Sequence, residues 1–81
     1  MYAFVPLETV KKFEPQMEQE NVSVVARSPR GFLTAYKKYG KALPQEWLIK
    51  RENFIKRHLA QYKKNPTYRR KLALMAWAYQ P

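Results

Sequence analysis

Prolines decide where this chain can be helical. Proline lacks the amide hydrogen and clashes with the turn before it, so it suits a helix start and disrupts a helix interior. Pro29, Pro44 and Pro66 divide the last two-thirds of the chain into three stretches, each with an apolar stripe at helical spacing. The pairs Ser28-Pro29, Leu43-Pro44 and Asn65-Pro66 predict helices over about 29–39, 44–64 and 66–79. Ser28 and Asn65 are the expected capping side chains. Gly40 suits the left-handed position that ends the first helix. Gly31, in that helix's first turn, either weakens it or lets another backbone come close.

The first third reads differently. Tyr2 to Val5 and Val22 to Ala26 are rich in β-branched and aromatic residues and fit two short strands. A lone hairpin is marginal in water, so these strands would need helices packed against them. Between them Leu7, Val10, Phe13 and Met17 recur at helical spacing, but Pro15 argues against one unbroken helix. The expected fold class is therefore mainly α: a small three- to four-helix domain with an extended N-terminal arm, which a short β-hairpin could supplement. Residues 1–26 form the arm and residues 27–81 the basic helical domain.

The stretch 44–64 sorts most cleanly. At 100° per residue, Trp47, Leu48, Arg51, Phe54, Ile55, His58, Leu59 and Tyr62 share an arc of about 140°. Trp47, Phe54, Ile55 and Leu59 from this arc, with Leu72, are the expected core. Opposite it, Lys50, Arg57 and Lys64 recur every seven residues in one stripe. Arg51 lies within the apolar arc, where its stem covers apolar surface and its head pairs with a Glu of the N-terminal segment or reaches water.

Charge is uneven. Sixteen Lys and Arg oppose six Glu, with no Asp, for a net +10. Residues 1–26 hold two Lys and four Glu, a net −2, and residues 27–81 hold fourteen Lys and Arg against Glu46 and Glu52, a net +12. Clustered cations raise affinity and on-rate for polyanions. Single-strand binders set such cations beside aromatic faces, and here Tyr36-Lys37-Lys38-Tyr39, Tyr62-Lys63-Lys64 and Tyr68-Arg69-Arg70 interleave the two. The same tyrosines sit at core spacing, so the alternative is a packed ring with its hydroxyl at the rim. For the lysines and arginines the alternative is a merely solvated face.

These patterns name a partner class. The expected activity is nucleic-acid binding, to DNA or RNA, through Arg30, Lys37, Lys38, Lys50, Arg57, Lys64, Arg69, Arg70 and Lys71. The last three stand at a helix start, where amides and cations together suit a phosphate. The segments 29–39 and 44–64 have a helix-turn-helix outline, but Gln45, Glu46 and Trp47 lack the usual base-reading set at the second helix's start. Backbone contacts rather than sequence reading are therefore expected. The alternative is a protein-interaction module that docks an acidic partner through its basic face and Arg70, Leu74 and Trp77, since Trp and Arg dominate such surfaces.

Catalysis is not expected. There is no Cys, two isolated glycines make no phosphate-cradling loop, and the one His, His58, falls on the apolar arc. Glu46 and Glu52 are six apart, about 240° around a helix, and do not converge on a metal. No cofactor or metal site is indicated. The N-terminal apolar run is cut by Pro6 and Glu8, and the run Leu72 to Tyr79 is far too short to span a bilayer. An intracellular, cytoplasmic location is the corresponding expectation.

Overall fold

α1, Leu7–Gln19, runs unbroken through Pro15. The expected interruption does not occur, and the reason is exposure. Pro15 cannot donate to the carbonyl four residues earlier, that of Lys11, but both residues are exposed, so water can take the donor's place. Val10 and Met17 are buried on the helix's inner face, with Leu7 and Phe13 half-buried beside them. The helix ends in a Schellman turn: Val22 N–H donates to Met17 O (2.8 Å) and Asn21 N–H to Glu18 O (3.1 Å). Asn21 takes the left-handed backbone this requires, at φ +54°.

No strand forms. Val22, buried, closes the Schellman turn, and the residues after it wind into the one-turn helix α2, Val24–Arg27. Tyr2 to Val5 stay extended and pair with no second strand. The expected hairpin is replaced by an arm laid on helices, and 81 residues, 1–81, are described by this computed structural model.

α3, Phe32–Tyr39, starts three residues later than expected, with Gly31 as its N-cap. Ser28 does not cap it: its hydroxyl donates to Val25 O at 2.6 Å, closing α2. Pro29 occupies the intervening turn. A Cβ on Gly31 would overlap the backbone carbonyls of Val25 and Ala26, so glycine here permits the close approach of α2 to the start of α3. Gly40 ends α3 at φ +57° and leads into a 3₁₀ turn, Gly40–Ala42.

α4, Gln45–Lys64, is one continuous helix with Pro44 just outside it. The next cap is Thr67, not Asn65: Thr67 Oγ1 accepts from Arg70 N–H at 3.2 Å. α5, Tyr68–Met75, follows. It ends short of residue 79 in a second Schellman turn, in which Tyr79 N–H donates to Leu74 O (3.1 Å) and Ala78 N–H to Met75 O (2.9 Å). Ala78 holds the left-handed position at φ +57°.

α1 and α4 both pack on α5, and α2 packs on α3. The core joins Val10 and Met17 of α1, Phe32, Leu33 and Tyr36 of α3, and Leu72 and Met75 of α5, and half-buried Trp47 and Leu48 of α4 pack against it. The five residues expected to be buried together are not: Leu72 belongs to this core and Trp47, half-buried, packs against it, Ile55 is fully buried outside it, and Phe54 and Leu59 are only half-buried. An 81-residue chain has too little interior to enclose a twenty-residue helix's whole apolar arc.

Arg51 is the one charged residue in the interior, 1% exposed. Its Nε donates to Trp77 O (2.8 Å), Nη1 to Tyr2 O (2.8 Å), and Nη2 to Ala3 O and Ala78 O (both 2.9 Å). The Phe4 ring lies 3.7 Å from the guanidinium carbon. The expected pairing with an N-terminal Glu is therefore replaced by four backbone carbonyls, with Glu52 Oε2 the nearest carboxylate at 3.9 Å. Val5 N–H to Ala78 O (2.7 Å) and Tyr36 O–H to Val5 O (2.9 Å) complete the seam. One side chain of α4 thus clamps the arm to the turn after α5.

Candidate nucleic-acid interface

Lys50, Arg57 and Lys64 are exposed along one line of α4. Fourteen residues of helix carry that line about 21 Å. The line does not stand opposite the apolar arc, as expected, but borders that arc's aromatic edge. Phe54 lies four residues after Lys50 and three before Arg57, the spacings that make helix-surface neighbours. Lys50 Nζ stands 5.0 Å from the Trp47 ring centre. Trp77 fills the gap between Trp47 and Phe54, with its centroid 6.2 Å and 4.6 Å from theirs, and stacks on Phe32 at 4.8 Å. Phe54 stacks on His58 in turn, with centroids 3.9 Å apart and planes at 18°. The half-buried rings that did not fit the core therefore form a row alongside the free cations.

A shallow groove opens at each end of this row. Near Trp47, Arg30, Lys38 and Tyr39 surround a groove of about 240 Å³. Lys38 Nζ lies 5.2 Å from the Tyr39 ring. Near Phe54 and His58, the residues Arg69, Arg70, Asn21 and Ser23 line a groove of about 360 Å³. Burial, and secondarily the Arg57 charge, pushes the His58 pKa down, so its ring is neutral at pH 7.

The nine cations expected to act together fall into four situations. Arg30, Lys38, Lys50, Arg57 and Lys64 are exposed with no carboxylate partner. Arg69 and Arg70 are oriented by backbone carbonyls, those of Glu20 and of Asn65 (2.9 Å for Arg70 Nη1), which fix the guanidinium without neutralising it. Lys71, half-buried, follows them in the first turn of α5. Lys37 stands apart: its ammonium is 2.7 Å from Glu14 Oε1, so α1 already neutralises it.

The residues of the protein-docking alternative do not share a surface. Leu74 is fully buried, and Trp77 is half-buried with Phe32 and Phe54 against its ring. Of the interleaved tyrosines, Tyr36 is core with its hydroxyl bonded inward, whereas Tyr39 and Tyr68 are exposed.

Sequence reasoning missed the groove that Asn21 and Ser23 help to line and the stacking of Phe54 on His58. The signal for the stack was present. Phe54 and His58 are four apart at the margin of the apolar arc, next to Arg57. No helix is long and apolar enough to cross a membrane. Neither the protein-family models nor the curated proteins nor the solved structures contain a match to this chain.

Proposed function

We propose that this protein binds nucleic acid, chiefly through phosphate contacts made by Lys50, Arg57 and Lys64 and by Arg69, Arg70 and Lys71. One observation carries the reading. Of the sixteen Lys and Arg, Lys37 and Arg51 have a carboxylate within ion-pair distance, and the other fourteen have none. A surface built only for solubility mixes both signs of charge, and net charges of up to about 8 suffice for a small domain. A line of unpaired cations on a rigid helix matches a polyanion instead, and association releases the polyanion's counterions.

Measured affinity for a mixed-sequence DNA or RNA should therefore fall steeply as salt rises. The logarithmic plot should lose roughly one unit of slope for each phosphate contact removed. Binding should change little with base sequence, because the line offers charge and no base-reading side chains. Fluorescence anisotropy at several salt concentrations tests this. No measurable binding at low salt overturns it. The docking of an acidic protein on the basic face would then be the reading to pursue.

A further inference from the structure

We infer that the groove between Phe54–His58 and Arg69–Arg70 holds one unpaired base of a single strand, with the adjoining phosphate on the two arginines. The inference rests on the nucleic-acid reading and deepens it, because phosphate contacts alone do not distinguish single strands from duplexes.

The groove's chemistry is divided in the way a nucleotide is divided. Its apolar part is the end of a ring stack: Phe54 lies between Trp77 (4.6 Å) and His58 (3.9 Å), so the outer face of His58 is the one a base can stack on, and Ala73 of α5 lines the same groove. About 360 Å³ falls within the range of small-ligand sites. A base stacks on such a surface whatever its identity, since every base has a π face. One wall is cationic. Arg69 and Arg70 are held by the carbonyls of Glu20 and Asn65, so their charge is in place before a ligand arrives. Neither has a carboxylate within ion-pair distance.

The rest of the lining is polar and neutral. Asn21 and Ser23 both have left-handed backbones, at φ +54° and +56°. The first closes α1, and the second turns the chain so that both residues line the groove. Neither side chain makes a hydrogen bond within the protein, which leaves an amide and a hydroxyl free for a base edge. A duplex keeps its bases stacked and paired, so it can offer its phosphates to Arg57 and Lys64 but no base to the groove.

His58 is the only histidine, so its ring protons give one isolated signal in a proton NMR spectrum. An oligothymidylate and a mixed-sequence duplex of equal length are the two probes. The oligothymidylate should move the His58 ring resonances upfield, as stacking requires, whereas the duplex should bind and leave them in place. Ala73→Leu and Ala73→Met each fill the groove without changing charge. Each should weaken oligothymidylate binding roughly fivefold to a hundredfold, the range for loss of one stacked base, with duplex affinity unchanged. Circular dichroism shows whether each variant is folded, and either folded variant suffices.

If both probes bind with salt dependence but His58 moves with neither, the base site is overturned and the phosphate reading stands. If the folded variants weaken both probes equally, the groove is part of the general basic surface and the inference is again overturned. If neither probe binds the parent protein, the nucleic-acid reading itself fails.

Discussion

Lys50 and Arg51 are neighbours on one helix and carry the same charge, yet the fold treats them oppositely. Lys50 is exposed, with its ammonium near the Trp47 ring and no carboxylate partner. Arg51 is 1% exposed, with four carbonyls of two distant segments around its guanidinium. A charge can be buried only when hydrogen bonds replace its water. Once that happens it is part of the structure and has nothing left to offer a ligand. The cations in the open keep their hydration and their field, and they are the ones available to a polyanion. So whether a cation of this protein is open to a ligand follows from the satisfaction of its donors, and neighbours in sequence can differ completely.

The sharpest way to break this comparison is Arg51→Ala. Removing the guanidinium strips the partner from the carbonyls of Tyr2, Ala3 and Trp77, and one of two partners from Ala78. The expected loss is about 3–5 kcal/mol, a large share of the stability of a domain this size. Urea unfolding followed by circular dichroism measures it. Arg51→Lys should recover little, because an ammonium cannot fork to carbonyls on two sides. If Arg51→Ala unfolds at the parent's urea midpoint, the clamp is not what holds the arm down.

Gly31→Ala ranks next. The added methyl would meet the Val25 and Ala26 carbonyls, which are backbone and cannot rotate away. Such overpacking costs typically about 1–3 kcal/mol, and the same unfolding experiment detects it. This is the neutral counterpart of the Arg51 test, since it separates α2 from α3 without touching charge.

The triple variant Lys50→Ala, Arg57→Ala, Lys64→Ala probes the other half of the comparison. Exposed positions such as these usually change stability by no more than about 0.5 kcal/mol each. Lys50 adds the contact over Trp47, about 0.5–1 kcal/mol. The fold should survive, while the salt slope of nucleic-acid binding flattens by roughly three units. Unchanged binding in the folded variant would show that the line is a solvated face.

How much of this was legible beforehand follows from which interactions leave a mark on side-chain pattern. α4 was legible because its period is regular and no breaker interrupts it. The Schellman turn after α1 has a readable signature as well: Asn21, then apolar Val22, with apolar Met17 five residues before it. Pro15 misled because its cost depends on whether one carbonyl faces water, which sequence does not state. The strand reading of Val22 to Ala26 failed because Val22 is used as a turn's apolar plug, while Val24 and Val25 are exposed. Arg51's role was hidden for a deeper reason. Its partners are backbone carbonyls, which every residue has, so no spacing of side chains announces them.

His58 lies between the two situations and gives the smallest effect. It is half-buried on Phe54, and burial first, then the nearby Arg57 charge, holds its pKa below 6.5, the ordinary value for histidine. An NMR titration should place its midpoint below 6.5. The sign of the linked stability change follows. As pH falls, the unfolded chain takes up the proton first, so protons pull the equilibrium toward unfolding. This contribution to stability is complete above pH 6.5, declines as pH falls through the depressed pKa, and levels off once the folded form is protonated too. The triple variant lacks Arg57, so its His58 midpoint should rise toward 6.5 but stay below it, because burial, the larger cause, is untouched. A midpoint at or above 6.5 in the parent protein would mean that the ring is hydrated like Lys50 and that the Phe54–His58 stack is not formed.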